Sequence, residues 1–161
     1  LIGTMNPEEG ELRPQLLDRF GLSVEVRSPR DIDTRVEVMR RRDAYENDNA
    51  AFMKKWRTKD SALRKAILAA RAALPGLTTP GVVLHDCAAL CIALGSDGLR
   101  GELTLLRAAR AQAAFEGAAT VTRQHLKTVA TSALSHRLRR DPLDEAGSGA
   151  RVARILAETL P

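Results

Sequence analysis

The amino-acid sequence predicts a predominantly helical protein in which a small α/β edge precedes an all-helical region. Leu1–Met5 and Leu22–Val26 are short apolar runs bounded by turn-forming residues, which is typical of strands. Further along the chain, the apolar residues recur at helical spacing instead. We therefore expect two strands and a short helix over residues 1–30, a long connecting helix over 31–60, and a helical domain over 61–161.

The predicted α/β edge runs in the order strand, loop, short helix, strand. Residues 7–10 form the loop, and Pro14–Phe20 is predicted as a helix because proline is favoured in a first helical turn. Two strands do not form a stable sheet alone. We therefore expect the remaining strands to lie upstream in a longer polypeptide, and we interpret the apolar opening at Leu1, without an initiator methionine, in the same way.

The helical part is divided by capping and helix-breaking residues. Asp31 or Ser28 is expected to cap the connecting helix, and the polar stretch from 40 to 49 should project into solvent. Apolar character returns with Phe52, Met53 and Trp56, which we interpret as a hydrophobic contact. The later helices are expected to begin or end at the following residues: Pro75-Gly76, Thr79-Pro80, Gly95, Gly117, Thr122 and Gly147-Ser148-Gly149.

The composition is that of a globular protein rather than a disordered tail, with 44% hydrophobic and 28% charged residues. No apolar stretch reaches the roughly 20 residues needed to cross a bilayer. The net charge of +5 allows nucleic-acid binding, but basic and acidic residues alternate and no aromatic residues accompany them for base stacking. We therefore expect no nucleic acid and no membrane span among the partners.

The two cysteines do not predict a metal site. Cys87 and Cys91 lie on one face of a predicted helix among leucines, without further ligands at metal-binding spacing. We interpret them as small thiols that fill the core, in agreement with a reducing compartment. No metal-ligating residues are predicted in this chain.

Three positions are candidates for phosphate chemistry, although each also has an ordinary structural explanation. Asn6 follows a predicted strand, where α/β folds bind ligands, but an Asn-Pro turn is common in loops. Arg19 closes the short helix, but it is equally a surface arginine paired with Asp18 or Glu25. Arg100 begins a helix, where a guanidinium and the helix N-terminus can face a phosphate together, or it pairs with a nearby acid.

Taken together, these residues match a family. The string Gly3-Thr4-Met5-Asn6-Pro7, followed by Leu16-Leu17-Asp18-Arg19-Phe20, resembles the sensor 1 strand and arginine-finger helix of AAA+ ATPases. The spacer between the two strings is similar to that of the magnesium chelatase I subunits. The strings Ser96–Gly117 and Ser135–Val152 resemble the same family, so the resemblance covers nearly the whole chain from sensor 1 onward.

The resemblance implies a role for each candidate. Asn6 would be the sensor 1 residue near the γ-phosphate, and Arg100 would be the sensor 2 residue of the helical lid that reaches ATP. Arg19 would be the finger inserted into the neighbouring subunit's site, with Asp18 in support. A finger supplied in trans is worth about 10³–10⁵ in rate. Arg107 and Arg110, further along the Arg100 helix, are expected to be structural or at an interface.

A basic run near the end of the chain is expected to pair with nearby acids. We favour ion pairs at a subunit contact over anion binding, because the charges of the two signs are interleaved. The residues concerned are His136, Arg137, Arg139 and Arg140 on the basic side and Asp141, Asp144 and Glu145 on the acidic side.

The sequence contains no G-x-x-x-x-G-K-[ST] loop and no apolar run ending in Asp-Glu, so this segment alone is expected not to hydrolyse ATP. The resemblance implies a full subunit that uses ATP and Mg²⁺ in a homo-oligomeric ring, expected to be a hexamer. A second AAA+ chelatase subunit (D) and a large porphyrin-binding catalytic subunit (H) would be its partners. Together they would insert Mg²⁺ into protoporphyrin IX, in the bacterial cytoplasm or the plastid stroma.

Two alternatives remain open from the sequence. A MoxR-like AAA+ chaperone shares the Asn-Pro and Leu-Asp-Arg-Phe elements with a different spacer, and it would act on a different client. A basic helical module that binds nucleic acid is the alternative without enzymatic activity. Activity with chelatase partner subunits separates the first alternative from a chelatase, and a salt-dependent DNA titration tests the second.

Overall fold

A computed structural model of the chain describes residues 1–6, 12–96, 98–138 and 147–160. The described residues form the following α-helices: α1 (Pro14–Leu17), α2 (Ile32–Asn47), α3 (Asn49–Ala73), α4 (Gly81–Leu94), α5 (Arg100–Phe115), α6 (Arg123–Leu134) and α7 (Gly147–Thr159). The predominantly helical fold class is confirmed. No helix within the described ranges is both long and apolar enough to cross a membrane.

The two predicted strands are not formed. Residues 1–6 and 21–30 carry no β-ladder, and the short helix ends at Leu17 rather than at Phe20. A strand is stabilised by ladder hydrogen bonds to neighbouring strands. Two short segments cannot form a stable sheet by themselves, so residues 1–6 and 21–30 lack these bonds. The second segment is tied to a helix instead, because Ser23 N donates to the carbonyl of Ser132 in α6 at 2.8 Å.

The predicted connecting helix over 31–60 is divided into two helices at Asp48. Asp31 caps α2 as expected, since its carboxylate accepts from Thr34 N at 2.8 Å. Asp48 leaves the helical conformation, with φ −148° and ψ 86°, and its side chain accepts from Ala51 N at 2.9 Å. A side chain that caps the next helix competes with continuation of the previous one. Helix α3 runs unbroken past residue 60, where the connecting helix was expected to end. The division into domains stays a prediction.

Helices α2 and α3 fold back on each other around Asp48 and bury none of their side chains completely. Tyr45 of α2 meets Phe52 of α3 edge-on, with ring centroids 5.6 Å apart. Trp56 lies 5.9 Å from Phe52, and the Arg41 guanidinium lies 4.9 Å from the Trp56 centroid. Cation–π and aromatic contacts therefore close this hairpin, whose polar stretch is exposed as predicted.

The core lies between α4, α5, α6 and α7, which we call the lid. Alanines on α5 and α6 let these two helices approach closely, and leucines fill the space around them. The fully buried side chains of α4–α7 include Leu90, Cys91, Leu105, Ala109, Ala113, Leu126, Ala130, Ala133 and Val152. Two free, buried cysteines take part in this core, as the sequence predicted.

The loops that precede α4 and α6 are joined to each other. Thr78 N donates to the Ala119 carbonyl at 3.2 Å, and Val121 N donates to the Thr78 carbonyl at 3.0 Å, which forms an isolated parallel bridge. Arg123, at the start of α6, donates two hydrogen bonds to the nearly buried carboxylate of Asp86 in α4, at 2.8 and 3.2 Å. These contacts fix the ends of the lid helices relative to one another.

The start of α5 is held close to the end of α4. Gly95 closes α4 with φ 68°, a left-handed conformation that glycine adopts without strain. Gly101 is buried, and a Cβ at this position would lie 2.6 Å from Ser96 Oγ. The absence of a side chain at Gly101 therefore lets the first turn of α5 sit against the end of α4, which places the neighbouring Arg100.

We expect Leu90→Ala to destabilise the lid by about 2–5 kcal/mol, because it opens a cavity at a side chain with 0% exposure. Urea unfolding measures this difference. The control is Ile92→Ala on the same helix, where the side chain is 76% exposed and the expected change is within about 0.5 kcal/mol. Equal losses for the two variants would contradict the described packing of α4.

Candidate functional site

The turn that follows α1, residues Asp18–Phe20, lies against the lid. The Asp18 carboxylate accepts hydrogen bonds from Nη1 of Arg100, at the start of α5, and from Nη1 of Arg137, just after α6. The two arginines differ in burial: the Arg100 side chain is 59% exposed and the Arg137 side chain only 4%. The structure therefore brings two predicted site residues, Asp18 and Arg100, into direct contact.

Arg19 extends from this turn into solvent. Its backbone N donates to the Leu16 carbonyl at 3.0 Å, whereas its exposed side chain makes no hydrogen bond or ion pair with a described residue. Glu25, one acid that the sequence offered as its partner, pairs with Arg27 instead, at 2.8 Å. The other, Asp18, binds the two lid arginines. Asp18 therefore joins the turn that carries Arg19 to the lid, and it makes no described bond to the Arg19 guanidinium.

The segment that contains Asn6 lies beside the same turn. A Cβ built at Gly3 would contact the ring of Phe20, at 3.7 Å from Cζ. Asn6 itself is exposed and ends the first described range. The sensor 1 role of Asn6 stays a prediction, and so do the finger role of Arg19 and the sensor 2 role of Arg100.

The two described members of the basic run bind the turn that follows α1, and their expected pairing with Asp141, Asp144 and Glu145 stays a prediction. Arg137 binds Asp18, and His136 Nε2 donates to the carbonyl of Phe20 at 3.1 Å, both more than a hundred residues away. The other residues of that charge run, at positions 139–141, 144 and 145, lie outside the described residues. Sequence reasoning missed Arg137 because a charge run is normally solvated, and nothing local signals that one guanidinium is buried.

Burial lowers the pKa of His136. Desolvation lowers the pKa of His136 below its ordinary value, the bond to the Phe20 carbonyl opposes this, and the charge of Arg137 lowers the pKa further. A neutral ring with the proton on Nε2 fits the hydrogen bond to Phe20, and it leaves the buried Nδ1 without a described partner.

The cysteine pair is structural. The hydrogen bond between the Cys91 and Cys87 thiols, together with burial, raises the pKa of the Cys91 thiol well above its ordinary value. The Cys87 thiol in turn donates to the Glu102 carbonyl at 3.4 Å. No group of three or more metal-ligating side chains occurs among the described residues.

Arg110 has a structural role as well. The sequence had left open whether it is structural or lies at an interface. It donates to Thr79 Oγ1 at 2.9 Å and to the Leu74 carbonyl at 3.0 Å, so it joins α5 to the loop before α4.

The chemical character of the site is set by two exposed arginines, of which Arg19 follows Asp18 in the turn and Arg100 binds the Asp18 carboxylate. Arg19 is exposed with no described partner, and Arg100 engages Asp18 through Nη1 only. A guanidinium carries five N–H donors in a plane and matches phosphate oxygens well. The arrangement is therefore suited to an anionic ligand rather than to a metal ion.

Comparison with known proteins shows which proteins the chain resembles. Residues 84–157, which cover most of the lid, match the AAA lid domain model. The whole chain is 77% identical to the magnesium-chelatase 38 kDa subunit of Cereibacter sphaeroides and 71% identical to that of Rhodobacter capsulatus. Over its whole length the chain is similar to part of these magnesium-chelatase 38 kDa subunits, and most of the lid is similar to the AAA lid domain. Its match to the magnesium-chelatase subunit ChlI of Synechocystis is 41% identical over 155 residues, which are 96% of this chain and 43% of that protein.

The chain spans about half the length of these chelatase subunits, 48% of the first and 46% of the second. A crystal structure of a candidate ATPase from Cytophaga hutchinsonii superimposes with a TM-score of 0.67. It covers 94% of this chain and 51% of the other at 21% identity, so it supports the fold alone.

We expect the stability of the protein to fall as the pH drops below about 6.5, partly through His136. Because the pKa of His136 is lowered in the folded state, the unfolded chain binds a proton at a higher pH and is favoured as the solution becomes acidic. His136→Gln, which keeps a donor for the Phe20 carbonyl, should make unfolding free energy less dependent on pH between 5 and 7.

The control for this experiment is His85→Gln, at an exposed position on α4. Urea unfolding at several pH values measures the slope for each variant. A His136→Gln slope equal to that of the unmodified protein would show that burial does not perturb this ring.

Proposed function

We propose that this chain is part of the ATPase motor subunit of a magnesium chelatase, which drives insertion of Mg²⁺ into protoporphyrin IX in (bacterio)chlorophyll biosynthesis. The observation that carries the proposal is the contact between the Asp18–Phe20 turn and the lid. It joins the turn that carries exposed Arg19 to Arg100, in a chain similar over its whole length to part of the chelatase subunits.

Each of the two exposed arginines acts on a different nucleotide. Arg100, at the N-terminus of α5, contacts the phosphates of ATP bound by its own subunit, as sensor 2. Its pair with Asp18 is exposed and uses only Nη1 of Arg100. The remaining N–H donors of Arg100 therefore bind a phosphate while the turn stays in place on the lid. Arg19 has no acceptor among the described residues, and it enters the neighbouring subunit's site as the arginine finger.

Asn6 and Asp18 complete the proposed site. Asn6 is the sensor 1 residue, which orients water near the γ-phosphate, from a segment that lies beside Phe20. Asp18 keeps the turn on the lid. ATP, when bound, supplies the phosphoryl group whose developing negative charge these arginines stabilise.

The exposed guanidinium groups fit a triphosphate, but the described residues include no carboxylate cluster for the accompanying Mg²⁺. The loop that cradles the phosphates and the acids that hold Mg²⁺ are absent from the sequence. This segment alone is therefore inactive. The complete subunit works in a homo-oligomeric ring, a hexamer, with a second AAA+ subunit (D) and a porphyrin-binding catalytic subunit (H), in the cytoplasm or the plastid stroma. Chelation assays with purified partner subunits test this assembly.

We expect Arg19→Ala in the full-length subunit to reduce ATP hydrolysis roughly 10³-fold or more, while nucleotide binding is retained. Mixing this variant with a subunit that has a disabled P-loop lysine and an intact finger should restore part of the activity. Some sites of the mixed ring then combine a working P-loop with a working finger. Rings that assemble but recover no activity at any mixing ratio would show that Arg19 does not act in trans.

We expect Arg100→Ala to lower ATP hydrolysis about 10-fold or more, since one contact with the transition state is lost. Stability should change by no more than about 1 kcal/mol, because the pair with Asp18 is exposed. Arg154→Ala, which removes a similarly exposed pair with Glu158, is the control and should leave hydrolysis unchanged. A large fall in melting temperature for Arg100→Ala with unchanged hydrolysis would indicate a structural role instead.

A further inference from the structure

The buried guanidinium of Arg137 joins three parts of the chain. Nη1 donates to the Asp18 carbonyl at 2.8 Å as well as to its carboxylate, and Nη2 donates to the Phe20 carbonyl at 2.8 Å. Nη2 also reaches Thr104 Oγ1 in α5 at 3.3 Å, and Nε reaches the Ala133 carbonyl in α6 at 3.1 Å. Every nitrogen of the guanidinium therefore has an acceptor, and the turn supplies three of the five contacts.

Two further bonds hold the chain around Arg19 on the same surface. His136 Nε2 donates to the Phe20 carbonyl at 3.1 Å, and Ser23 N donates to the Ser132 carbonyl at 2.8 Å. Arg19 thus lies between two residues whose backbone carbonyls are bound by Arg137, while its own side chain extends into solvent. Few conformations of the turn satisfy all of these bonds, so the backbone of Arg19 is held in place by the lid.

The planar fork of Arg137 is essential for this arrangement. Two carbonyls and a carboxylate of one turn are bound by neighbouring nitrogens, which a lysine ammonium on a flexible stem reproduces only in part. The side chain is 4% exposed, and a buried charge without its acceptors is costly. The folded position of the turn and the burial of Arg137 therefore depend on each other.

We infer that Arg137 is a positioning residue for the arginine finger: it holds the Asp18–Phe20 turn so that Arg19 points into the neighbouring subunit's site. The inference rests on the proposed role of Arg19. A displacement of about 1 Å in a catalytic group can cost up to 10²-fold in rate. Loss of the bonds between Arg137 and the turn therefore affects hydrolysis, although Arg137 touches no nucleotide.

The test uses mixed rings of the full-length subunit, in which donor and acceptor of the finger are distinct. Acceptor subunits carry Arg19→Ala and an intact P-loop, and donor subunits carry an intact Arg19 and a disabled P-loop lysine. Hydrolysis then occurs only where a donor finger enters an acceptor site. Arg137→Gln is placed either in the donor or in the acceptor, and ATP hydrolysis is measured at equal ring assembly.

We expect Arg137→Gln to lower hydrolysis about 10-fold or more in the donor and less than about 2-fold in the acceptor, whose turn carries no finger. Arg137→Lys, which keeps the charge, should give an intermediate loss in the donor, and it provides the same comparison if the glutamine variant does not assemble. The control is Arg110→Gln, which removes another internal arginine of the lid and should not distinguish donor from acceptor.

Three results would overturn the inference, and they differ in what else they affect. Equal losses in donor and acceptor would show that Arg137 only maintains the lid. A larger loss in the acceptor would show that it acts on its own subunit's nucleotide through Arg100. If mixed rings with intact Arg137 recover no activity, Arg19 does not act in trans, and Arg137 then has no finger to position.

Discussion

The hydrogen bonds from Arg137 to the Asp18–Phe20 turn decide where this turn lies relative to the lid. The side chain is 4% exposed, so its charge is compatible with the fold only while its donors meet acceptors. The turn supplies the Asp18 carbonyl, the Asp18 carboxylate and the Phe20 carbonyl. Without a sheet to join, this part of the chain takes its position from these bonds and from the contacts of His136 and Ser23.

The carboxylate of Asp18 serves two arginines that differ in how strongly they hold it. Its pair with Arg137 is buried on the arginine side, where loss of either partner leaves a costly unmatched group. Its pair with Arg100 is exposed on both sides, where such contacts contribute little. Arg100 can therefore exchange Asp18 for another anion at small cost while Arg137 keeps the turn in place.

Local chemistry explains which features could be predicted from the sequence. The cap at Asp31, the left-handed Gly95 and the capping box at Thr122 depend on residues within four positions, and all three helix boundaries were predicted. The break at Asp48 was missed because the almost entirely polar stretch from 40 to 49 has no apolar period that would reveal it. The bond between Arg137 and Asp18 joins residues 119 positions apart, and burial of one arginine in a basic run has no local signature.

Under the proposed roles, the same contacts explain how one nucleotide site can influence the next. Arg100 belongs to the lid, and Arg19 is carried by a turn that Arg137 binds to the lid. A movement of the lid would therefore displace both arginines together, although they act on nucleotides in different subunits. Because rate depends steeply on the placement of a catalytic group, a small shift at the subunit's own site would change hydrolysis at the neighbouring one. This coupling between nucleotide sites requires no separate signalling segment, since the hydrogen bonds from Arg137 that order the turn also transmit the movement of the lid.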